Sequence, residues 1–262
     1  MKLCKSLIQP MMEYADVIWD GCNEDDSELM ESVQYEAARV VTGAMRGTSR
    51  SRLLHEVAWE EMKIRQKLHK LVCYFKIKNR LVPSCLSELL PCTVGQRTQI
   101  SLRTSENLNI EPTRIEWFKK SFFPSTTRLW NEIELDIRKV DSLNVFKNSV
   151  VNYLSLPHNT QFDFSLDRYS SILHTRLRLN CCALNYYLFR INCVPYPGCI
   201  CGFQDETINH YFLYCLRFAA PRQILLSSVA QYLTTLGVTC LTQRVNLLLF
   251  GSSQSSFQEN IV

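Results

Sequence analysis

Apolar residues recur at the spacing of an α-helix along much of the chain. The first clear run places one apolar side chain on each turn and is followed by Gly43, a residue that commonly ends helices. Acidic residues and Ser27 precede this run and can cap its first turn. The pattern therefore predicts a helix, and its repeating apolar positions are Leu29, Val33, Ala37 and Val40.

The strongest helical pattern runs from about Trp59 to Asn79. Its apolar positions fall within one narrow stripe, as expected of a helix with one face in a core. Pro83 ends the run, because proline cannot continue a helix. The stripe consists of Ile64, Leu68, Leu71, Val72 and Phe75. One flank of it carries Lys63, Lys67 and Lys70.

Aromatic residues dominate the middle of the chain, and helical spacing returns over Arg176–Ile191. Core packing is the expected use of the aromatic side chains, which are Trp117, Phe118, Phe122, Phe123 and Trp130. Stacking of Trp117 or Phe118 on exposed bases is the alternative. We predict a mainly α fold with a multi-helical region (1–92), an aromatic-rich helical connection (93–155), a small helical segment (156–225) and a C-terminal element (226–262).

Charge is distributed unevenly along the first eighty residues. The composition is that of a globular protein, with 46% hydrophobic and 21% charged residues, and the net charge is only +4. Met1–Glu36 contains nine acidic residues against two lysines, whereas Ala37–Arg80 contains eleven Lys or Arg against three Glu. Such a basic excess can attract phosphate groups, but a solvated helix face has the same pattern, so both interpretations stay open.

Twelve cysteines are present in 262 residues. The N-terminus lacks the apolar run of a signal peptide, and no stretch is long enough to span a bilayer. Disulfides are not expected without a route to an oxidising compartment, so clustered cysteines indicate metal ligands. We expect a cytoplasmic or nuclear protein with no membrane partner.

One cluster of residues has the spacing of a metal site. Cys199-Ile200-Cys201-Gly202 is followed by His210 and Cys215, which gives a C-x-C-x8-H-x4-C pattern. Structural zinc sites use four such ligands, commonly two from a tight turn and two from a helix. Four protein ligands leave no position for water or substrate, so a Zn²⁺ ion here is expected to be structural. The alternative is chance clustering in a cysteine-rich chain.

No catalytic residues are predicted. Tyr14-Ala15-Asp16-Val17 resembles a polymerase Y-x-D-D motif, but Val17 stands where a second metal-binding carboxylate is required. The sequence contains no glycine-rich phosphate loop, no nucleophile motif and no metalloprotease motif. We therefore expect no enzymatic activity and no small-molecule substrate.

Short motifs occur along nearly the whole chain in a fixed order. They are Leu7-Ile8-Gln9-Pro10, Glu13-Tyr14-Ala15, Trp19, Val33-Gln34, Ala37-Ala38-Arg39, Thr42-Gly43, Trp59-Glu60, Arg65, Tyr74 with Lys76, Leu81-Val82-Pro83, Ser121-Phe122-Phe123, Trp130-Asn131, Arg176-Leu177, Leu188-Phe189-Arg190, the Cys/His cluster with Glu206-Thr207 and His210-Tyr211-Phe212, Leu248-Leu249-Phe250-Gly251 and Asn260-Ile261. In this order they resemble the C-terminal region of reverse transcriptases from non-LTR retrotransposons, from the end of the polymerase palm to the zinc-binding segment.

The resemblance implies a division of roles. Residues 1–92 correspond to the polymerase thumb, which grips the template–primer backbone, and 156–225 to the zinc-binding segment, with Cys199, Cys201, His210 and Cys215 as ligands. The endonuclease, fingers and palm are expected to lie outside this chain, which is also expected to stop inside the closing element. The second ligand departs from the usual pattern, since it follows the first after one residue.

We expect sequence-independent binding of RNA or DNA. The predicted contacts are phosphate contacts from Lys63, Lys67, Lys70, Arg46, Arg50 and Arg52. Two alternatives stay open. The chain can be a helical protein-interaction module that zinc only stabilises, or the product of a decayed element copy with no nucleic-acid role.

Overall fold

The computed structural model describes residues 3–99, 105–154, 166–235, 238 and 240–250. Over these residues the chain is mainly helical, as the sequence predicts, and the β-structure is one isolated antiparallel bridge between Thr93 and Leu108. No helix in the described ranges has the length and apolar character needed to cross a membrane. The closing motif Asn260-Ile261 lies outside the described residues.

The helices are short except for two. The α-helices in chain order are α1 (Gln9–Glu13), α2 (Asp16–Trp19), α3 (Glu24–Thr42), α4 (Arg50–Val57), α5 (Met62–Lys78), α6 (Ser84–Ser87), α7 (Val94–Thr98), α8 (Glu116–Lys120), α9 (Phe122–Glu132), α10 (Leu135–Arg138), α11 (Leu143–Tyr153), α12 (Arg168–Arg178), α13 (Asn185–Arg190), α14 (Ala219–Ser228), α15 (Ala230–Thr235) and α16 (Leu241–Phe250). Two π-helical turns, Cys4–Ile8 and His210–Tyr214, and a 3₁₀ turn, Leu216–Phe218, complete the described helical structure.

The chain forms two compact units. Unit 1 comprises Met1–Ala37 and Trp59–His158, and unit 2 comprises Ala38–Ala58 and Asn159–Val262. This division differs from the four segments predicted from the sequence. The aromatic-rich connection 93–155 belongs to the first unit. Residues 38–58 belong to the second, where Arg168 and Arg176 of α12 donate to the carbonyl oxygens of Val40 and Gly43 and Arg178 pairs with Glu56. Sequence spacing cannot foresee such long-range pairing.

The core of unit 1 is built on α5, the helix predicted over Trp59–Asn79. The predicted apolar stripe faces this core, with Leu68, Leu71 and Phe75 buried. The rings of Phe75 and Phe146 stack with centroids 4.3 Å apart, and those of Trp130 and Phe146 stack with centroids 5.5 Å apart. Aromatic contacts of this kind stabilise a core beyond the burial of their area. The core residues are Leu68, Leu71, Tyr74, Phe75, Leu108, Trp130, Ile133, Phe146 and Val150.

Helix α3 is present where predicted, but a different face of it is buried. Three of the four apolar positions used to predict it, Leu29, Val33 and Val40, are exposed. Polar side chains face inward instead, because they bond to the first turn of α5. Glu31 accepts a hydrogen bond from the backbone of Lys63, and Gln34 donates to the Glu60 carbonyl oxygen at 2.6 Å. The bond to Glu31 satisfies an N–H group that the start of α5 leaves without a partner within the helix, and the bond from Gln34 connects α3 to the residues just before α5.

Acidic residues of the N-terminal segment pair with basic residues of α5. Glu13 lies 2.7 Å from Arg65, Asp16 lies 2.5 Å from His69, and Asp20 pairs with the buried Lys70. Glu24 also pairs with Lys63, at the surface. The acidic and basic halves of the uneven charge distribution therefore neutralise each other in part. We call the first three pairs the acid–base seam.

The seam makes the stability of unit 1 depend on pH. The hydrogen bond to Asp16 raises the pKa of His69, so the folded chain holds this proton more tightly than the unfolded chain. Its contribution is full below the unfolded pKa of about 6.5 and is lost as the pH rises through the raised folded pKa. We expect His69→Gln to lose this pH dependence. Denaturant titrations monitored by tryptophan fluorescence between about pH 5 and pH 9 test this, with the exposed His55→Gln as control. Identical pH profiles for wild type and His69→Gln would contradict it.

The core of unit 2 joins α12, α16 and the segment that carries the Cys/His motif. Ile208 and Val245 are buried together, and Leu177 and Phe212 pack against them. A buried ion pair between Arg178 of α12 and Glu56 of α4 lies in the same unit. The helix predicted over Arg176–Ile191 is interrupted, since α12 ends at Arg178 and α13 begins at Asn185.

Candidate functional site

Four predicted ligands converge in unit 2. One possible ligand atom from each of Cys199, Cys201, His210 and Cys215 lies within 4.8 Å of the others. The Sγ atoms of Cys199 and Cys215 are 3.8 Å apart, and Sγ of Cys201 lies 3.2 Å from Nε2 of His210. The four groups can therefore hold a metal ion. Cys199, His210 and Cys215 are buried, and Cys201 is partly exposed.

A tight turn presents the first two thiols. The backbone N–H of Gly202 donates to the Cys199 carbonyl oxygen at 2.9 Å, and the N–H of Cys199 donates to the Phe203 carbonyl oxygen at 3.0 Å. Gly202 adopts φ +93°, a conformation that residues with side chains rarely adopt. The turn allows two cysteines only one residue apart to direct their sulfurs toward the same point.

A widened helical turn presents the other two groups. Thr207 caps this turn, since its hydroxyl oxygen accepts a hydrogen bond from the His210 N–H at 3.1 Å. The turn His210–Tyr214 is π-helical, and the Cys215 N–H donates to the His210 carbonyl oxygen at 2.7 Å. In a regular α-helix a residue five positions on points about 140° away. The π-turn instead brings Cys215 back to the side of His210.

The two cysteines of the tight turn differ electrostatically. Burial raises the pKa of the Cys199 thiol to about 12, whereas a hydrogen bond from the Phe203 backbone lowers the pKa of Cys201. A bound cation favours the thiolate form of both, because metal ligation requires deprotonated sulfur. The Phe203 ring stacks on the His210 imidazole with centroids 4.3 Å apart and helps to orient it.

Glu206 is a functional-site residue that was not predicted as one. Its Oε1 lies 3.4 Å from Sγ of Cys199, and its Oε2 accepts a hydrogen bond from the Asn185 N–H at 2.9 Å. The Asn185 side chain in turn donates to the Gly198 carbonyl oxygen at 2.8 Å. The start of α13 thereby supports the cysteine turn. The sequence alone does not identify Glu206 as a site residue, because nothing in the neighbouring residues distinguishes a buried glutamate from an exposed one.

The predicted nucleic-acid residues lie in different environments. Lys70 is buried, pairs with Asp20 and donates to the Ser125 hydroxyl, so it is not available at the surface; this part of the prediction is corrected. Burial follows from its position, since Lys70 adjoins the buried stripe of α5. Lys63 is exposed and pairs with Glu24, and Lys67 is exposed. In unit 2, Arg46 and Arg52 are exposed and Arg50 is partly exposed.

Asp16, the carboxylate of the Y-x-D-V motif, has a structural partner. It is buried at the start of α2 and bonds to Nδ1 of His69. Ala15 before it adopts a left-handed conformation, which separates α1 from α2. The surroundings of Asp16 are therefore those of the acid–base seam.

Comparisons with known proteins give no match to this chain. Family models, curated proteins and solved structures were each compared with it, and none matches.

Proposed function

We propose that the chain is a non-catalytic nucleic-acid-binding region stabilised by one structural zinc ion, of the kind that follows the palm in reverse transcriptases of non-LTR retrotransposons. The convergence of Cys199, Cys201, His210 and Cys215 carries the proposal. The same four residues form the segment in which the sequence resembles the zinc-binding region of those enzymes.

The donor set and its spacing fit zinc. Three thiolates and one imidazole are ligands that zinc prefers in structural sites. With Zn–S bonds of about 2.3 Å, tetrahedral ligation separates two sulfurs by roughly 3.8 Å. The distance between the sulfurs of Cys199 and Cys215 is 3.8 Å. All twelve cysteines are free thiols, and we propose a reducing compartment, cytoplasm or nucleus, as the place of action.

Exposed basic residues support the nucleic-acid role. Lys63 and Lys67 lie on the surface of unit 1, and Arg46 and Arg52 on the surface of unit 2. Lysine and arginine side chains at such positions contact phosphate groups without distinguishing bases. The proposed partner is therefore RNA or DNA of any sequence, with no membrane and no small-molecule substrate involved.

We expect salt-dependent binding to fall when these cations are neutralised. For single-stranded nucleic acid, each lost phosphate contact lowers the slope of log K against log salt by about 0.7. Lys63→Gln with Lys67→Gln should therefore reduce the slope by up to roughly 1.4 and weaken binding at low salt. Fluorescence anisotropy with labelled oligonucleotides over a salt series measures both quantities.

The matched control removes the same charge elsewhere. Lys147→Gln with Arg190→Gln neutralises two other exposed cations and should leave the slope nearly unchanged. Wild-type binding that does not respond to salt, or no binding at all, would contradict the nucleic-acid role. Equal loss in both double variants would assign the effect to net charge rather than to α5.

A protein-interaction module is the second candidate function. Two exposed apolar residues one helical turn apart in α3, Leu29 and Val33, favour it, because exposed apolar surface commonly binds proteins. Association that persists at high salt and is lost on replacing Leu29 and Val33 by Ser would support this candidate over the first.

A further inference from the structure

Residues 114–120 form an exposed surface that we call the aromatic–basic ridge. All seven residues are exposed, and they include the whole of α8. The exposed fractions are 73% for Trp117, 57% for Phe118 and 65% for Ile115. Trp117 and Phe118 therefore lie outside the core, in contrast to the packing expected from the sequence. Large apolar side chains that are exposed within a few residues of one another indicate a candidate binding surface.

Backbone hydrogen bonds hold the ridge in place. The N–H of Ser121 donates to the carbonyl oxygens of Trp117 and Phe118, each at 3.1 Å, and the Arg128 guanidinium donates to that of Lys119 at 3.1 Å. These bonds satisfy the last carbonyl groups of α8, which a helix end otherwise leaves open. The Arg128 bond also connects the end of α8 to α9.

Gly21 lies close to the far end of α8. A Cβ atom on Gly21 would lie 3.0 Å from the Lys120 carbonyl oxygen, which is tighter than ordinary contacts. Glycine therefore allows the chain before α3 to meet the end of α8.

The charge of the ridge is complementary to an anion. It carries Arg114, Lys119 and Lys120 against one carboxylate, Glu116, which lies 3.5 Å from Lys119. Outside the ridge, Glu24 bonds to Lys63, and the charge of Lys120 also lowers the pKa of Glu24, after the larger effect of that hydrogen bond.

We propose that the aromatic–basic ridge binds single-stranded nucleic acid, with unpaired bases stacked on Trp117 and Phe118 and neighbouring phosphates near Arg114, Lys119 and Lys120. Aromatic rings stack on every base, so this contact requires no particular sequence. The inference rests on the proposed nucleic-acid role and adds a preference for single strands, since the bases of a duplex are already stacked on each other.

Binding of a labelled oligo(dT) and of a duplex of equal length by the full chain tests the inference. Trp117→Ala and Phe118→Ala should each weaken single-strand binding about 5-fold or more and change duplex binding little. Trp117→Phe should retain most of the affinity, because it keeps a ring. Tyr14→Ala, which removes an exposed aromatic side chain elsewhere in unit 1, should bind as wild type does.

Tryptophan emission gives a second measurement. Among the four tryptophans, Trp117 is the exposed one, while Trp59 and Trp130 are buried and Trp19 is partly buried. Stacking of bases on Trp117 should quench the emission of the wild type. The quenching should disappear in Trp117→Phe although oligo(dT) still binds.

The possible outcomes separate this inference from the proposed function. If Trp117→Ala binds oligo(dT) as tightly as the wild type, the ridge is not the binding surface and this inference is wrong. The proposed function is still supported in that case if binding depends on salt and is weakened by Lys63→Gln with Lys67→Gln. Absence of all nucleic-acid binding by the wild type overturns both. Binding to phosphatidylserine vesicles that Trp117→Ala abolishes, with oligo(dT) binding unaffected, assigns the ridge to lipid surfaces and also overturns the inference.

Discussion

Cys215→Ser is expected to lose the bound zinc and to unfold residues 199–215, while unit 1 stays folded. Cys215 is fully buried, and its sulfur is one of the four converging ligand atoms. A segment this short cannot bury an adequate core of its own, so metal binding energy becomes folding energy. Local unfolding should also destabilise α12 and α16, because Ile208 packs in one core with Val245 and Leu249 of α16 and with Leu177 of α12.

The two units can be followed separately in this experiment. All four tryptophans lie in unit 1, so their fluorescence reports that unit and should be unchanged in Cys215→Ser. Elemental analysis should find one zinc per wild-type chain and less than one in Cys215→Ser and His210→Ala. Limited proteolysis should cut the variants within 199–215. Cys193→Ser, at an exposed cysteine outside the cluster, is the control. Equal zinc in all variants, or none in the wild type, ends the proposal of a zinc site.

Glu56→Ala should destabilise unit 2 by about 3–5 kcal/mol, the usual cost of removing one partner of a buried ion pair. The side chains of Glu56 and Arg178 are both almost fully buried. The Thr175 hydroxyl also donates to the Glu56 carboxylate at 3.3 Å. In Glu56→Ala, the guanidinium group of Arg178 stays buried but has no carboxylate partner. The cost of this desolvated charge accounts for most of the expected loss in the stability of unit 2.

Two further variants distinguish this cause from a general effect of charge. Glu61→Ala, at an exposed position of unit 1, should change the stability of unit 1 by about 0.5 kcal/mol or less and leave hydrogen exchange in α12 unchanged. Glu56→Leu combined with Arg178→Met should recover much of the stability, because apolar pairs of similar volume replace buried ion pairs well. Hydrogen exchange in α12 measures unit 2 directly. Similar exchange rates in Glu56→Ala and wild type would contradict the prediction.

The sequence predicted long elements with strong periodicity well. The stripe on α5 and its end before Pro83 correspond to the helix Met62–Lys78. Helix α3 was predicted in position but not in orientation, because polar bonds from Glu31 and Gln34 to α5 decide which face is buried. The predicted helix Arg176–Ile191 breaks near Asn180, where φ is +54°. Asparagine tolerates this conformation, but its identity alone does not require a break.

The sequence predicted the four ligand residues of the candidate site but not the residues that orient them. Spacing identified Cys199, Cys201, His210 and Cys215 because only a few residue types bind metals and because the ligands of one site often lie close together in sequence. Glu206 and Phe203 were missed as supports, because their roles depend on contacts that folding creates. The exposure of Trp117 was missed for a related reason, since aromatic residues are buried far more often than not.

The π-helical turn between His210 and Cys215 shows how a helix can accommodate a longer spacing between two ligands. A hydrogen bond from residue i+5 places that residue where residue i+4 stands in a regular α-turn. One inserted residue is thus absorbed by the backbone without moving the ligand. Patterns of the form H-x3-C on a regular helix and H-x4-C on a widened one are geometrically equivalent. A motif definition that admits both spacings describes a single ligand arrangement.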